Sequence, residues 1–270
     1  MAKPELNAIL SERIELTSDL FIFRVTPKEW SLPSFIAGQF AVLGLPGSSP
    51  RCAGAEPDAK PVEPEKFIQR AYSIASSPQE KSSMEFYIAL VKSGVLTPRL
   101  CHLKKGDPLY LSSKISGAFT LTGVPDKSHV VLIATGTGIA PFVSMLKTYL
   151  KKGGRRYALF HGVRESIDLG YRSEMEALQK QFSEFSYHPI ISRPDQAKTK
   201  WMGPTGHVQE LWKMGVLKKQ WGGSPTPQNT HVFLCGSPMM IESTIELLGH
   251  EGFKENKKTD PGQIHVERYW

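Results

Sequence analysis

The chain has 270 residues, of which 40% are hydrophobic and 22% charged, and it carries a net charge of +7. That apolar share builds cores of ordinary size and excludes a disordered chain; at roughly 100–200 residues per domain, two domains are expected. Its apolar runs, such as VVLIA at 130–134, fall far short of the ~20 residues of a membrane span, and the opening MAKPELNAIL lacks the apolar centre of a signal peptide, so a cytoplasmic protein is expected.

Three widely spaced cysteines, Cys52, Cys101 and Cys235, form no CxxC pair. This argues against a disulfide framework and against a zinc or iron–sulfur site, so no metal is expected. The basic balance favours acidic partners or phosphate-bearing ligands. There is no long basic run, zinc finger or helix-turn-helix signature, so a nucleic-acid partner is not expected.

The first half reads as β. In FIFRV, Phe21, Phe23 and Val25 alternate onto one strand face, and QFAVLGL, YSIAS, MEFYIALV and DPLYLSS are further short runs rich in β-branched and aromatic residues. Turn signals separate them, and several short strands at close spacing predict a small barrel. PRLCHLKKGD at 98–107 is the one candidate helix. The stretch 46–66 is dense in Pro, Ala and Glu; longer than a typical loop, it is expected to be an exposed and mobile insertion.

The second half alternates strand and helix. HVVLIA, RYALFHG, FSYHPIIS, HVFLCG and IHVERYW read as strands, and GIAPFVSMLKTYLKK, SEMEALQKQF, HVQELWKM and PMMIESTIELLGHEG as helices between them. Such alternation predicts a parallel sheet covered on both faces. The join falls near GVPDKS, dividing the chain into 1–124 and 125–270.

Within that pattern, ATGTGIAP at 134–141 leaves a strand and opens a helix. Gly136 and Gly138 would let the backbone approach a ligand, Pro141 suits a first helical turn, and free N–H groups there bind phosphate. Pro141 replaces the third glycine of the common dinucleotide fingerprint. LCGSPMM at 234–240 repeats the arrangement on the same sheet edge. A bare turn without ligand remains the alternative. RAYS at 70–73 pairs a forked phosphate donor, Arg70, with Tyr72 and Ser73, which suit a flat heteroaromatic ring; a core tyrosine and a surface arginine would look the same.

RAYS, GVLTPRL (94–100), ATGTGIAPF (134–142), HGVR (161–164), ISR (191–193), LCGSPMM (234–240) and the terminal VERYW occur in that order. The chain thereby resembles the ferredoxin/flavodoxin–NADP reductases, and among them the bacterial members ending in Tyr-Trp. The resemblance implies an N-terminal antiparallel FAD-binding β-barrel, a C-terminal parallel-sheet NADP-binding α/β domain, and an active site between them. It also implies FAD and NADP as cofactors, ferredoxin or flavodoxin as acidic partner, and a monomer.

Carried over by matching residues, the resemblance gives Arg70, Ala71, Tyr72 and Ser73 to FAD, with Tyr72 stacked on the isoalloxazine and Ser73 near its N5. Val95, Leu96 and Thr97 would cap the FAD pyrophosphate through backbone N–H groups and the Thr97 hydroxyl. Thr137 would lie near both cofactors, and Cys235, beside Gly236, would pack against the nicotinamide. Glu267 would supply a carboxylate, Tyr269 would cover the other flavin face, and Trp270 would stack on the adenine. Ser73, Cys235, Glu267 and Tyr269 form the implied catalytic set. Arg164, Ser192 and Arg193 match the NADP block, and the two arginines suit its 2′-phosphate. His207 stands where a further family arginine is common, with Lys198 and Lys200 close by. The rival readings are a reductase component for an oxygenase or quinone, and a low-turnover flavoprotein sensor.

Overall fold

A computed structural model of the chain describes residues 5–196 and 200–268. It separates into two compact units that meet between Thr120 and Leu121, a few residues before the expected join, because Leu121 and Val124 are already buried.

The first unit holds β1 (Ala8–Thr17), β2 (Leu20–Pro27), β3 (Phe40–Pro46), β4 (Phe67–Ser73), β5 (Met84–Ala89) and β6 (Pro108–Leu111), with one short helix, α1 (Thr97–His102). The strands are antiparallel in the order β4-β3-β6-β1-β2-β5. The two ends of that row meet. Ser73 still pairs with Phe40 on β3, but Ile74 bridges Phe86 on β5, and the Ala75 N–H donates to the Glu85 carbonyl at 2.8 Å. The sheet is therefore a barrel, whose closure leaves no free edge for aggregation. The chain changes partner strand right after Tyr72 and Ser73. Phe21, Phe23 and Val25 fill the barrel with Leu43, Ile68, Met84, Phe86 and Leu111. Each large apolar side chain so buried contributes about 1.5–3 kcal/mol.

β1 is absent from the expected strands. Its charges, Glu12, Arg13 and Glu15, hide the alternation. In the barrel Arg13 and Glu15 pair with each other along β1, and Glu12 is paired across strands: Arg24 on β2 stands between Glu12 on β1 and Glu85 on β5 in the ladder, with Nε 2.9 Å from Glu85.

The insertion at 46–66 has mainly exposed side chains, and its backbone is anchored at several points. Gly47 and Ser48 N–H groups donate to the Lys66 and Pro64 carbonyls, Cys52 to Pro98, and Glu56 to Lys92, all at 2.8–3.0 Å. Asp58 pairs with both Arg51 and Arg99, the latter at 2.7 Å with its side chain only 4% exposed.

The second unit is a five-stranded parallel sheet in the order β11-β10-β7-β8-β9. Its strands are β7 (His129–Thr135), β8 (Tyr157–Val163), β9 (Phe185–Ile191), β10 (Thr230–Cys235) and β11 (Ile264–Glu267). Helices α2 (Ala140–Tyr149), α3 (Arg172–Gln181), α4 (Gln209–Lys213), α5 (Val216–Trp221) and α6 (Pro238–Gly249) connect them. Val130–Ala134 are all buried, the continuous apolar run of a strand covered on both faces. α5 was not expected, because VLKKQW is too short for a helical period to show. β7 has β8 on one side and β10 on the other, so the order reverses between β7 and β10. Ligands of open parallel sheets bind beyond the strand ends at such a switch point.

Candidate functional site

The predicted residues fall into two sets, one on each unit. On the barrel, Arg70 and Ala71 are exposed, Tyr72 is half-buried and Ser73 is buried. Tyr72 packs against the barrel core, and burial pushes its phenol well above the usual range, opposed by the nearby Arg70 charge. The Arg70 guanidinium donates to the Gln69 carbonyl at 2.7 Å and pairs with no carboxylate among the described residues. An exposed, unneutralised fork of this kind suits a phosphate.

Val95 and Leu96 lead into α1, whose N-terminus has no side-chain cap. The Thr97 hydroxyl already has partners in its own turn. It donates to the Val91 carbonyl at 3.1 Å and accepts from the Val91 N–H at 3.0 Å. Its single proton closes the 91–97 turn, so donation to a pyrophosphate would require the hydroxyl to turn away from the Val91 carbonyl.

On the second unit the strand register assembles the rest. Cys235 ends β10, opposite Ala134 on β7 on one side and Glu267 on β11 on the other. Cys235 is fully buried and Glu267 is half-buried. After β7, Gly136–Ile139 form a 3-10 turn that carries Thr137 and runs into α2 with Pro141 in its first turn. Gly136 has φ +54°, a conformation glycine adopts at little cost. Gly138 has a purpose within the fold. An added Cβ would sit 2.3 Å from the Cys235 carbonyl oxygen. Its missing side chain makes room for the turn after β10. That turn is locked from its other side as well: the Ser237 N–H donates to Thr135 Oγ1 at 2.7 Å, and Gly236 lies at φ +145° with Thr135 where its Cβ would be.

His161, on β8, supports the same turn and was not singled out by its sequence. Its Nε2 lies 3.2 Å from the Gly136 carbonyl and its Nδ1 3.2 Å from the Tyr187 hydroxyl. A carbonyl can only accept, so Nε2 carries the proton and Nδ1 accepts from Tyr187. Burial lowers the pKa of His161 from 6.5 to about 4, with the Gly136 contact opposing. The folded chain thus binds fewer protons here than the unfolded one between those values, and stability falls as pH drops through that window. The expected loss from this one group between pH 7 and pH 5 is about 2 kcal/mol. Urea unfolding at the two pH values checks it: His161→Gln should show a smaller pH-dependent loss than the parent, and an equal loss in both would refute the assignment.

The ends of β8 and β9 bring two arginines together. The Arg193 N–H donates to the Arg164 carbonyl and the Ser192 N–H to the Val163 carbonyl, both at 2.9 Å. Both arginines are exposed and neither pairs with a carboxylate among the described residues. His207 and Lys200 are also exposed. Tyr269, Trp270 and Lys198 lie outside the described residues. A separate hollow of about 600 Å³, lined by Tyr149, Lys152, Arg155 and Tyr157 among others, opens at the N-terminal ends of β7 and β8 and takes in none of the predicted site residues. Among the described residues no group of three or more His, Cys, Asp or Glu side chains could hold a metal, and no helix is long and apolar enough to cross a membrane.

An antiparallel barrel closed just after RAYS, followed by a parallel sheet whose switch point carries two interlocked glycine turns, defines a two-domain chain with a dinucleotide-binding type of second unit. Residues 132–246 match the oxidoreductase NAD-binding domain family. The chain is 35% identical over 239 residues to a flavodoxin/ferredoxin–NADP reductase of Buchnera aphidicola subsp. Baizongia pistaciae, covering 87% of this chain and 88% of that one. It is 32% identical over 257 residues to a ferredoxin–NADP reductase of Azotobacter vinelandii, covering 92% and 91%. A crystal structure of a ferredoxin NADP+ reductase from Neisseria gonorrhoeae with bound FAD and NADP superimposes with a TM-score of 0.81 at 26% identity, over the whole of both chains. The chain belongs to the flavodoxin/ferredoxin–NADP reductase family.

Proposed function

We propose that this protein is an FAD-dependent oxidoreductase that moves electrons between NADPH and ferredoxin or flavodoxin, acting as a cytoplasmic monomer. The observation that carries this reading is the strand-end edge of the second unit, where Cys235 and Glu267 stand in register beside the interlocked glycine turns. Bound FAD supplies the exchange between a two-electron hydride donor and one-electron carriers. The chain binds, orients and shields. Arg70 would hold the diphosphate, Val95, Leu96 and Thr97 would cap it through their backbone N–H groups, and Tyr72 and Ser73 would bind the ring. Thr137 and Gly236 would border the nicotinamide, with Glu267 supplying a carboxylate. Cys235 is fully covered, so a nicotinamide that touches it must displace its cover. Holding the two rings in one orientation is the largest contribution the protein makes. The charge of +7 speeds encounter with an acidic carrier.

The test is a visible spectrum of the purified protein followed by anaerobic NADPH titration. Yellow protein bleached by about one equivalent is expected, and a colourless protein that gains no flavin absorbance with added FAD would overturn the reading. Cytochrome c reduction should require added ferredoxin or flavodoxin. Arg164 and Arg193 are the proposed 2′-phosphate holders. Arg164→Ala with Arg193→Ala should raise KM for NADPH by roughly 10- to 100-fold, the size of a lost charge-assisted contact, and leave KM for NADH nearly unchanged. An equal rise for both nucleotides would remove the two arginines from this role.

A further inference from the structure

We propose that Cys52 and Cys101 are a reversible dithiol–disulfide site that staples the 46–66 segment to α1. The two residues are far apart in sequence, and their spacing carried no signal. The fold makes them neighbours. The Cys52 N–H donates to the Pro98 carbonyl at 2.9 Å, and Cys101 follows Pro98 by three positions in α1, on the same helical face. Cys52 lies close enough to Cys101 to disfavour ionisation of the Cys101 thiol, and both are free.

Both backbones are held in place by groups outside the pair. Arg51, next to Cys52, and Arg99, two residues before Cys101, share the Asp58 carboxylate. Arg13 Nη1 donates to the Cys101 carbonyl at 2.6 Å. Adjacent thiols on fixed backbones need only side-chain rotation and a small approach to reach bonding geometry. Cys235 does not compete, because it is fully buried in the other unit.

The oxidant is a peroxide. Cys52 lies in the mainly exposed 46–66 segment whereas Cys101 packs against the barrel core, where burial raises its thiol pKa, so Cys52 meets the oxidant first. The Cys52 sulfur attacks one peroxide oxygen; an S–O bond forms, the O–O bond breaks and water leaves, giving a sulfenic acid. The Cys101 sulfur then attacks the Cys52 sulfur; the S–S bond forms, the S–O bond breaks, and a second water leaves with the Cys101 proton. Two thiols lose two electrons and two protons, and one hydrogen peroxide becomes two waters. An external dithiol reverses the step by exchange.

α1 directly follows Val95 and Leu96, so the staple restrains the turn assigned to the FAD diphosphate. This consequence rests on the proposed function, whereas the bond does not. The test exposes reduced holoenzyme to a small excess of hydrogen peroxide, alkylates it, and maps peptides by mass spectrometry without reduction. A Cys52–Cys101 linked peptide that dithiothreitol removes is expected, together with FAD release slowed by about tenfold. C52S and C101S should each abolish the linked peptide and the effect of peroxide on FAD release. Two alkylated thiols after peroxide, or a Cys52 sulfonic acid without cross-link, overturns the staple. A linked peptide with unchanged FAD release overturns its action on flavin. A protein that never takes up FAD overturns the functional reading, while the linked peptide still decides the staple.

Discussion

Gly138→Ala should cost about 3 kcal/mol of stability and reduce kcat/KM for the nicotinamide by about a hundredfold. The added Cβ would lie 2.3 Å from the Cys235 carbonyl oxygen, 2.7 Å from its carbon and 2.9 Å from Gly236 Cα. All three are backbone atoms, so no side chain can swing aside. Gly138 does not have a positive φ, so the cost is one of space rather than conformation. The only relief is to part the turns after β7 and β10, which pulls on the Ser237–Thr135 hydrogen bond and on the His161 contact with Gly136. Those turns carry Thr137 and Gly236, and a displacement of about 1 Å there misaligns a bound ring enough for a hundredfold loss. Gly136→Ala is the control. Its φ of +54° makes alanine strained by about 1–2 kcal/mol, but nothing lies within 4 Å of the new Cβ. Denaturant unfolding and ferricyanide reduction with NADPH measure both variants. If Gly138→Ala matches the parent in both assays, the interlocking of the two turns is wrong.

Asp58→Ala should cost about 2–3 kcal/mol, the loss of charge-assisted hydrogen bonds that leaves the buried Arg99 without its counter-charge. Arg99 is 4% exposed, and its guanidinium reaches Asp58 with two nitrogens, at 2.7 and 3.1 Å. It also donates to the Gly47 carbonyl at 2.9 Å and the Val95 carbonyl at 2.7 Å. Without Asp58, two guanidiniums would face each other with no counter-charge. The hydrogen bonds from Arg99 hold the Asp58 carboxyl below its usual range against the opposing effect of burial, with Arg51 adding to the downward pull. A depressed carboxylate stabilises the fold above its ordinary pKa, and that stability is lost as pH falls from about 3.9 through the lowered value. The parent should therefore keep this contribution at pH 5, where the His161 contribution is already falling. Urea unfolding gives the energy, and limited proteolysis within 46–66 shows whether the segment is released. Asp58→Ala with unchanged stability and unchanged cleavage would show that the ion pairs only decorate the segment.

Several parts of this architecture were readable from residue order. The FIFRV alternation marked a barrel strand, and the continuous apolar runs at 130–134 and 232–235 marked strands covered on both faces. β1 was not readable, because its charges interrupt the period, and Glu12 is explained only by Arg24 across the ladder. The local role of the Thr97 hydroxyl was not readable, because its partner Val91 is brought to it only by the turn. His161 was passed over, because a lone histidine gives no signal until its two partners, 25 and 26 residues away, are brought to it.

The sequence by itself determined the class of each half, the two glycine turns, the set of blocks that places the chain in its family, and the basic charge. These follow from period, local turn chemistry and composition, which act over a few residues and need no folded partner. Tertiary structure alone decided that β4 hands over to β5 after Ser73, that Gly138 makes room for the Cys235 carbonyl, that Arg164 and Arg193 share one strand-end corner, and that Cys52 meets Cys101. Each of these joins groups distant along the chain. Such contacts are set by strand order and register, which depend on how whole elements bury their apolar faces together and leave no mark in the spacing of the residues they bring into contact.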